Sequence, residues 1–190
     1  MTLRNTVQAI LITLAATQSD ASETTPSNQT FSQCQKVRMK DKNLTLTNCT
    51  QSDDVTFATY ERPESISGSA NEFEKEKVII ATSTDKQHLL EQSGFRIKSG
   101  KPFFNQTKLE VIISPDSVSK RKVIRTIEER GWTINEESIK YFSPHDRGYV
   151  MSCFTAFKGH EKISVTVAQC LDYGELQSFK QLLGKVRIEQ

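Results

Sequence analysis

The sequence predicts an α+β fold. An antiparallel or mixed sheet carries two β-α units in ferredoxin-like β-α-β-β-α-β order. Two disulfide-linked hairpins flank it, and a C-terminal helix closes it. Three observations lead there. Apolar, β-branched runs at residues 78–81 and 109–113 each lead into helix-capping residues. Four cysteines fall at facing positions of two hairpin-like segments. Leu176, Phe179, Leu182 and Leu183 recur at helical spacing near the C-terminus.

The chain divides into three parts. Residues 1–21 read as an export signal. Arg4 gives a positive start, residues 7–16 an apolar core, and Ser19-Asp20-Ala21 a small-residue cleavage site. Residues 22–32 are polar, include Pro26, and read as a flexible lead-in. Residues 33–190 form a single domain. The apolar core of the signal is too short to span a bilayer, and no later segment is long enough. The expected location is the periplasm if the source is bacterial and the medium if it is eukaryotic. A formal charge of +2 on 190 residues gives no whole-molecule field toward nucleic acid.

Cysteine usage agrees with export. The four cysteines contain no C-x-x-C pair, and an oxidising compartment turns such thiols into structural disulfides. Asn28, Asn43, Asn48 and Asn105 each begin N-x-Thr, the acceptor pattern for glycosylation in a eukaryotic secreted protein and without meaning in a bacterium.

From Cys34 to Thr50, a turn at Asp41-Lys42 sets Val37 opposite Leu46, Met39 opposite Leu44 and Cys34 opposite Cys49. A first hairpin with a Cys34–Cys49 disulfide follows. Residues 55–60 alternate as a strand. Residues 78–81 form a buried strand, followed by Thr84 and Gln87 as a capping box and a helix that stops at Gly94. Residues 95–98 are extended. Residues 99–107 read as a loop, with Phe103 and Phe104 buried beneath it. Residues 109–113 form the second buried strand. Ser114 as N-cap, Pro115 at the first helical position and Gly131 as the stop predict a helix over residues 115–130, with Val123, Ile124 and Ile127 as its buried stripe. Its start and stop signals parallel those of residues 78–97, which suggests an internal β-α-β repeat. Residues 139–142 are extended and residues 143–148 form a turn. Residues 149–157 and 163–170 make the second hairpin, with Cys153 facing Cys170. A helix over residues 175–183 ends at Gly184, and residues 186–188 add an edge strand.

Catalytic signatures are absent from the sequence. It contains no G-x-S-x-G, no G-x-G-x-x-G and no phosphate loop, so no cofactor is implied. His160-Glu161 begins like a zinc-protease signature, but Ser164 stands where the second His belongs, and no metal site follows. His145 beside Asp146 is the one general-base candidate, in a segment that also has the composition of a plain turn. Lys120, Arg121, Lys122 and Arg125 form a basic run suited to an anionic surface. These features favour an exported, non-enzymatic binding protein (an inhibitor, immunity factor or accessory subunit) that holds a protein or other anionic macromolecule. The alternatives are a small exported hydrolase using His145 with Asp146, and an anion-binding module working through Lys120 to Arg125.

Overall fold

Alternating, β-branched stretches dominate the folded part of the chain and make it mostly β. A computed structural model describes residues 34, 36–62, 76–104, 110–114, 117–142, 150–171 and 174–188. In chain order the elements are β1 (Val37–Met39), β2 (Thr45–Ser52), β3 (Val55–Glu61), β4 (Lys77–Ser83), α1 (Lys86–Gln92), β5 (Phe95–Lys98) and β6 (Lys101–Phe104). There follow β7 (Glu110–Ser114), β8 (Ser117–Glu129), β9 (Trp132–Phe142), β10 (Val150–Gly159), β11 (Ser164–Leu171), α2 (Leu176–Leu183) and β12 (Val186–Ile188). Eight strands form one sheet in the order β2-β3-β4-β11-β10-β9-β8-β7, and every neighbouring pair is antiparallel. The pairs β1–β12 and β5–β6 stand apart as two-stranded sheets.

Both faces of the central strands are covered, so side chains on both sides are apolar. On one face, Ile80, Val167, Ala156 and Ile134 pack with Phe179, Leu182 and Leu183 of α2 and with Val37 and Val186 of the β1–β12 pair. Phe154 stacks on Phe179 there, with ring centroids 5.2 Å apart. On the other face, Val55, Ala81 and Phe157 pack with Leu89 and Leu90 of α1 and with Phe95 of β5. Full burial of each such Leu, Val or Phe contributes about 1.5–3 kcal/mol. The sheet is therefore the middle layer of three, and each helix seals one side.

The α+β, ferredoxin-like expectation is overturned. Residues 117–129, expected as helix, are strand β8, paired along its length with β9. The helix signals have strand equivalents. Ser114 ends β7 and pairs with Ser117, so the cap position lies where the chain reverses. Arg130 and Gly131 both have positive φ, 52° and 77°, and connect Glu129 to its partner Trp132. Two left-handed residues in a two-residue loop make a type I′ hairpin. A left-handed glycine serves that turn as well as it stops a helix. The expected stripe is also wrong: Val123 and Ile127 are half-buried and Ile124 is 48% exposed. Five β-branched residues between Val118 and Ile127 suit a strand.

The internal repeat fails with that helix. After α1, β5 leaves the main sheet and pairs with β6. Residues 101–104, expected within a loop, are thus a strand, turned by Ser99 and Gly100 at φ 51° and 76°. Phe103 and Phe104 are half-buried, and Phe104 meets Phe95 edge-on at 5.3 Å. α1 itself forms and stops before Gly94, but its N-cap is Asp85, whose carboxylate accepts from the His88 N–H at 3.0 Å, in place of Thr84.

The first expected hairpin is also corrected. The chain turns after Asp41, which accepts from the Asn43 and Leu44 N–H groups. The two arms then part: β1 pairs with β12, and β2 pairs with β3. Val37, Met39 and Leu44 all reach the same core, so their alternation was real while the pairing was not. Cys34 and Cys49 are nevertheless bonded, with Cα atoms 6.2 Å apart, and tie the β1–β12 layer to the edge of the large sheet. The second hairpin forms as expected. Cys153 and Cys170 are direct register partners and are disulfide-bonded. The C-terminal helix and last strand also form as expected. The expected signal and lead-in, residues 143–148, Pro115, Asp116, Asn28 and Asn105 lie outside the described residues.

Candidate functional site

Strand geometry redistributes the basic run. In β8 the register pairs Lys120 with Lys140, Arg121 with Ile139, Lys122 with Ser138 and Arg125 with Glu136. β9 in turn pairs Lys140 with Val150 and Ser138 with Ser152 of β10. Directly paired residues share a face. Lys122, Arg125, Lys140 and Val150 therefore lie on one face of three adjacent strands, and the position of Arg121 belongs to the other. A bulge between Val123 and Arg125 keeps Arg125 in step and leaves Ile124 as the unpaired residue.

This face continues the plane of Ile134, Ala156 and Phe154 beyond the reach of α2. There it is open: Lys122, Arg125 and Lys140 are exposed, as are Ile124 and Val150. Arg125 donates from Nε to Glu136 Oε2 at 2.5 Å. Lys122 and Lys140 form no ion pair among the described residues. The patch thus presents two ammonium groups, one guanidinium held by a carboxylate, two hydroxyls and the exposed Val150, with the unpaired, exposed Ile124 in the bulge beside Arg125. Lys140 and Val150 were not singled out from sequence. The signal that could find them is the period-2 alternation, which a helical reading of residues 115–130 conceals.

A second polar cluster joins the β2–β3 turn, the end of β4 and α1. Ser83 Oγ donates to Asp54 Oδ2 at 2.5 Å, and the other carboxylate oxygen of Asp54 accepts from His88 Nδ1. Gln92 donates to His88 Nε2 at 2.7 Å. The Ser83 hydrogen bond, with the His88 contact adding to it, holds the Asp54 carboxyl below the usual carboxylate range. These are Ser, Asp and His in the wrong order for nucleophilic catalysis. The hydroxyl gives its proton to the carboxylate, and the imidazole nitrogen that would activate it faces an amide. The cluster ties α1 to the sheet end. Asp41 is likewise lowered, by its Lys185 contact first and the Asn43 N–H second, and fastens the β1–β2 turn to the chain after α2.

Of the other expected residues, His145 and Asp146 lie outside the described residues. His160 sits in the β10–β11 loop, where its N–H donates to the Ile163 carbonyl at 3.1 Å. Among the described residues no group of His, Cys, Asp or Glu side chains is placed to hold a metal ion. No helix among them is long and apolar enough to cross a membrane. No protein-family model matches the chain, and no curated protein is similar to it.

Proposed function

We propose that this chain is an exported, non-enzymatic protein that holds an acidic macromolecular partner on the open face of β8, β9 and β10. The observation that carries it is the juxtaposition of Lys122, Arg125 and Lys140 with the exposed Ile124 and Val150 on adjacent strands. Cations steer an acidic partner and set its orientation, and the exposed aliphatic groups contribute area that becomes buried on docking. Export is supported by two disulfides, one at each end of the folded chain, which persist in an oxidising compartment. The hydrolase alternative rests on His145 and Asp146, which lie outside the described residues.

The test uses a defined probe, an extended peptide alternating Glu and Leu, and the double variant Lys122→Glu/Lys140→Glu. Both positions are exposed on a strand, so the fold should tolerate the change. Wild-type affinity should fall as salt rises, because exposed charges are screened over about 8–10 Å. The variant should lose about tenfold or more, equivalent to about 1.4 kcal/mol. Affinity that is unchanged in the variant and indifferent to salt would remove this face from the function.

A further inference from the structure

The edge of the large sheet remote from the basic face is β2. Among the described residues β2 pairs only with β3, and no strand takes up the backbone N–H and C=O groups of its outer side. Thr45, Thr47, Thr50, Gln51 and Ser52 are exposed along it. Six strand spacings, roughly 29 Å, separate it from β8, so this edge is independent of the basic face.

The composition of β2 is that of an interior strand. Edge strands are commonly protected from pairing by charged side chains or proline. Residues 45–52 contain neither. Among the strands of the large sheet only β11 shares that property, and β11 is paired on both sides. β2 is also held firmly. Cys49, near its centre, is fully buried and bonded to Cys34, so little ordering is needed before a further strand adds.

The ends of β2 carry opposite charges. Lys40 and Lys42 stand before it, Asp53 and Asp54 after it, and all four are exposed. Asp54 is engaged by Ser83 and His88, whereas Lys42 and Asp53 form no ion pair among the described residues. An edge with cations at its start and carboxylates at its end is complementary to itself when two copies run antiparallel. The bulge at Thr47 keeps the faces in step in that arrangement. With Lys42 opposite the second copy's Asp53, Thr45 falls opposite Thr50 and Leu46 opposite Cys49. Each pair shares one face: Thr45 and Thr50 stand beside Glu61 and Phe57 of β3, and Leu46 and Cys49 beside Tyr60 and Ala58. A strand without the extra residue would set opposite faces against each other in this alignment.

We propose that two copies of this chain join β2 to β2 about a two-fold axis, which continues the eight-stranded sheet across a dimer. Such pairing covers both edges and closes on itself. The contact of Lys42 with Asp53 occurs twice and selects the antiparallel alignment. The two basic faces then lie toward the far ends of the joined sheet.

Sedimentation equilibrium of the intact, disulfide-bonded protein tests this. The average mass should rise with concentration toward twice that of the monomer. Hydrogen exchange over residues 45–52 should slow in parallel, while exchange in β7 stays unchanged. Lys42→Glu brings like charges together twice in the dimer and should weaken association by about tenfold or more. Asp53→Lys should do the same. Mixed together, the two variants should regain association, because both contacts then join opposite charges. Lys42 lies in an exposed turn, so Lys42→Glu decides even where Asp53→Lys, at φ 53°, disturbs its own turn. A wild-type chain that stays monomeric up to about 1 mM, association without slower exchange in β2, or full association of Lys42→Glu would overturn the proposal. So would a mixture of folded variants that associates no better than its components.

Discussion

Replacement of Arg130 by Asn separates a hairpin from a helix at the point where sequence and structure disagree. In the hairpin, Arg130 carries φ 52° and Gly131 carries φ 77°. Left-handed backbone costs a non-glycine residue roughly 1–2 kcal/mol. Asparagine relieves about half of that, and Asn-Gly is the favoured type I′ pair, so stability should rise by about 0.5–1 kcal/mol. For a chain of this size that is a melting-temperature increase of about 1–4 °C. Had residues 115–130 been a helix stopped by Gly131, Arg130 would be its last turn. The same change would then lose helix propensity and a favourable cation at the negative helix end, a loss of a few tenths to about 1 kcal/mol. The sign alone decides. Gly131→Ala is no substitute, because both structures place Gly131 at positive φ. Urea unfolding is the assay: a higher midpoint with an unchanged slope supports the hairpin. An unchanged or lower midpoint refutes it.

Three further outcomes follow from the packing and the polar clusters. Phe154→Ala removes a ring that is 1% exposed and stacked on Phe179, and should cost about 3–5 kcal/mol in urea unfolding. Replacing Cys34 and Cys49 by Ser opens a cross-link of sequence separation 15, which should cost about 3 kcal/mol. Hydrogen exchange should then rise first in β1 and β12, whereas Cys153→Ser/Cys170→Ser leaves those strands protected relative to the rest. The Asp54 carboxyl is lowered from its ordinary 3.8, so its contribution to stability is complete above that value and is lost as pH falls through the folded-state pKa. Stability measured from pH 6 downward should therefore fall more steeply below about pH 4 in wild type than in Asp54→Asn. Parallel curves would contradict the Ser83–Asp54–His88 geometry.

What was legible in the sequence was local and periodic. Cys153 and Cys170 face each other because β10 and β11 are joined by a short loop, so counting from the turn gives the register. α2 was legible because its apolar stripe repeats at helical spacing and Gly184 follows it. Residues 117–131 misled because N-cap, proline and glycine signals describe a chain reversal without saying what it joins. Three apolar side chains at helical spacing did not reveal that Ile124 occupies a bulge and stays exposed. The partner of β1 was not legible at all. Val37 pairs with Ile188 across nearly the whole folded chain, and no local count reaches that far. For the same reason the Asp54–His88 contact, 34 residues apart in sequence, emerged only from the fold.

Site-specific photocrosslinking tests most directly whether the open face of β8, β9 and β10 holds a partner. A photoreactive side chain at position 124 replaces an isoleucine that is 48% exposed and leaves Lys122, Arg125 and Lys140 in place. The same group at position 177, on the exposed side of α2, is the control. In intact source cells or their medium, position 124 should yield a discrete adduct that high salt suppresses, and position 177 should yield none. Adducts of equal strength from both positions, or from position 177 alone, would contradict the assignment of the partner to this face.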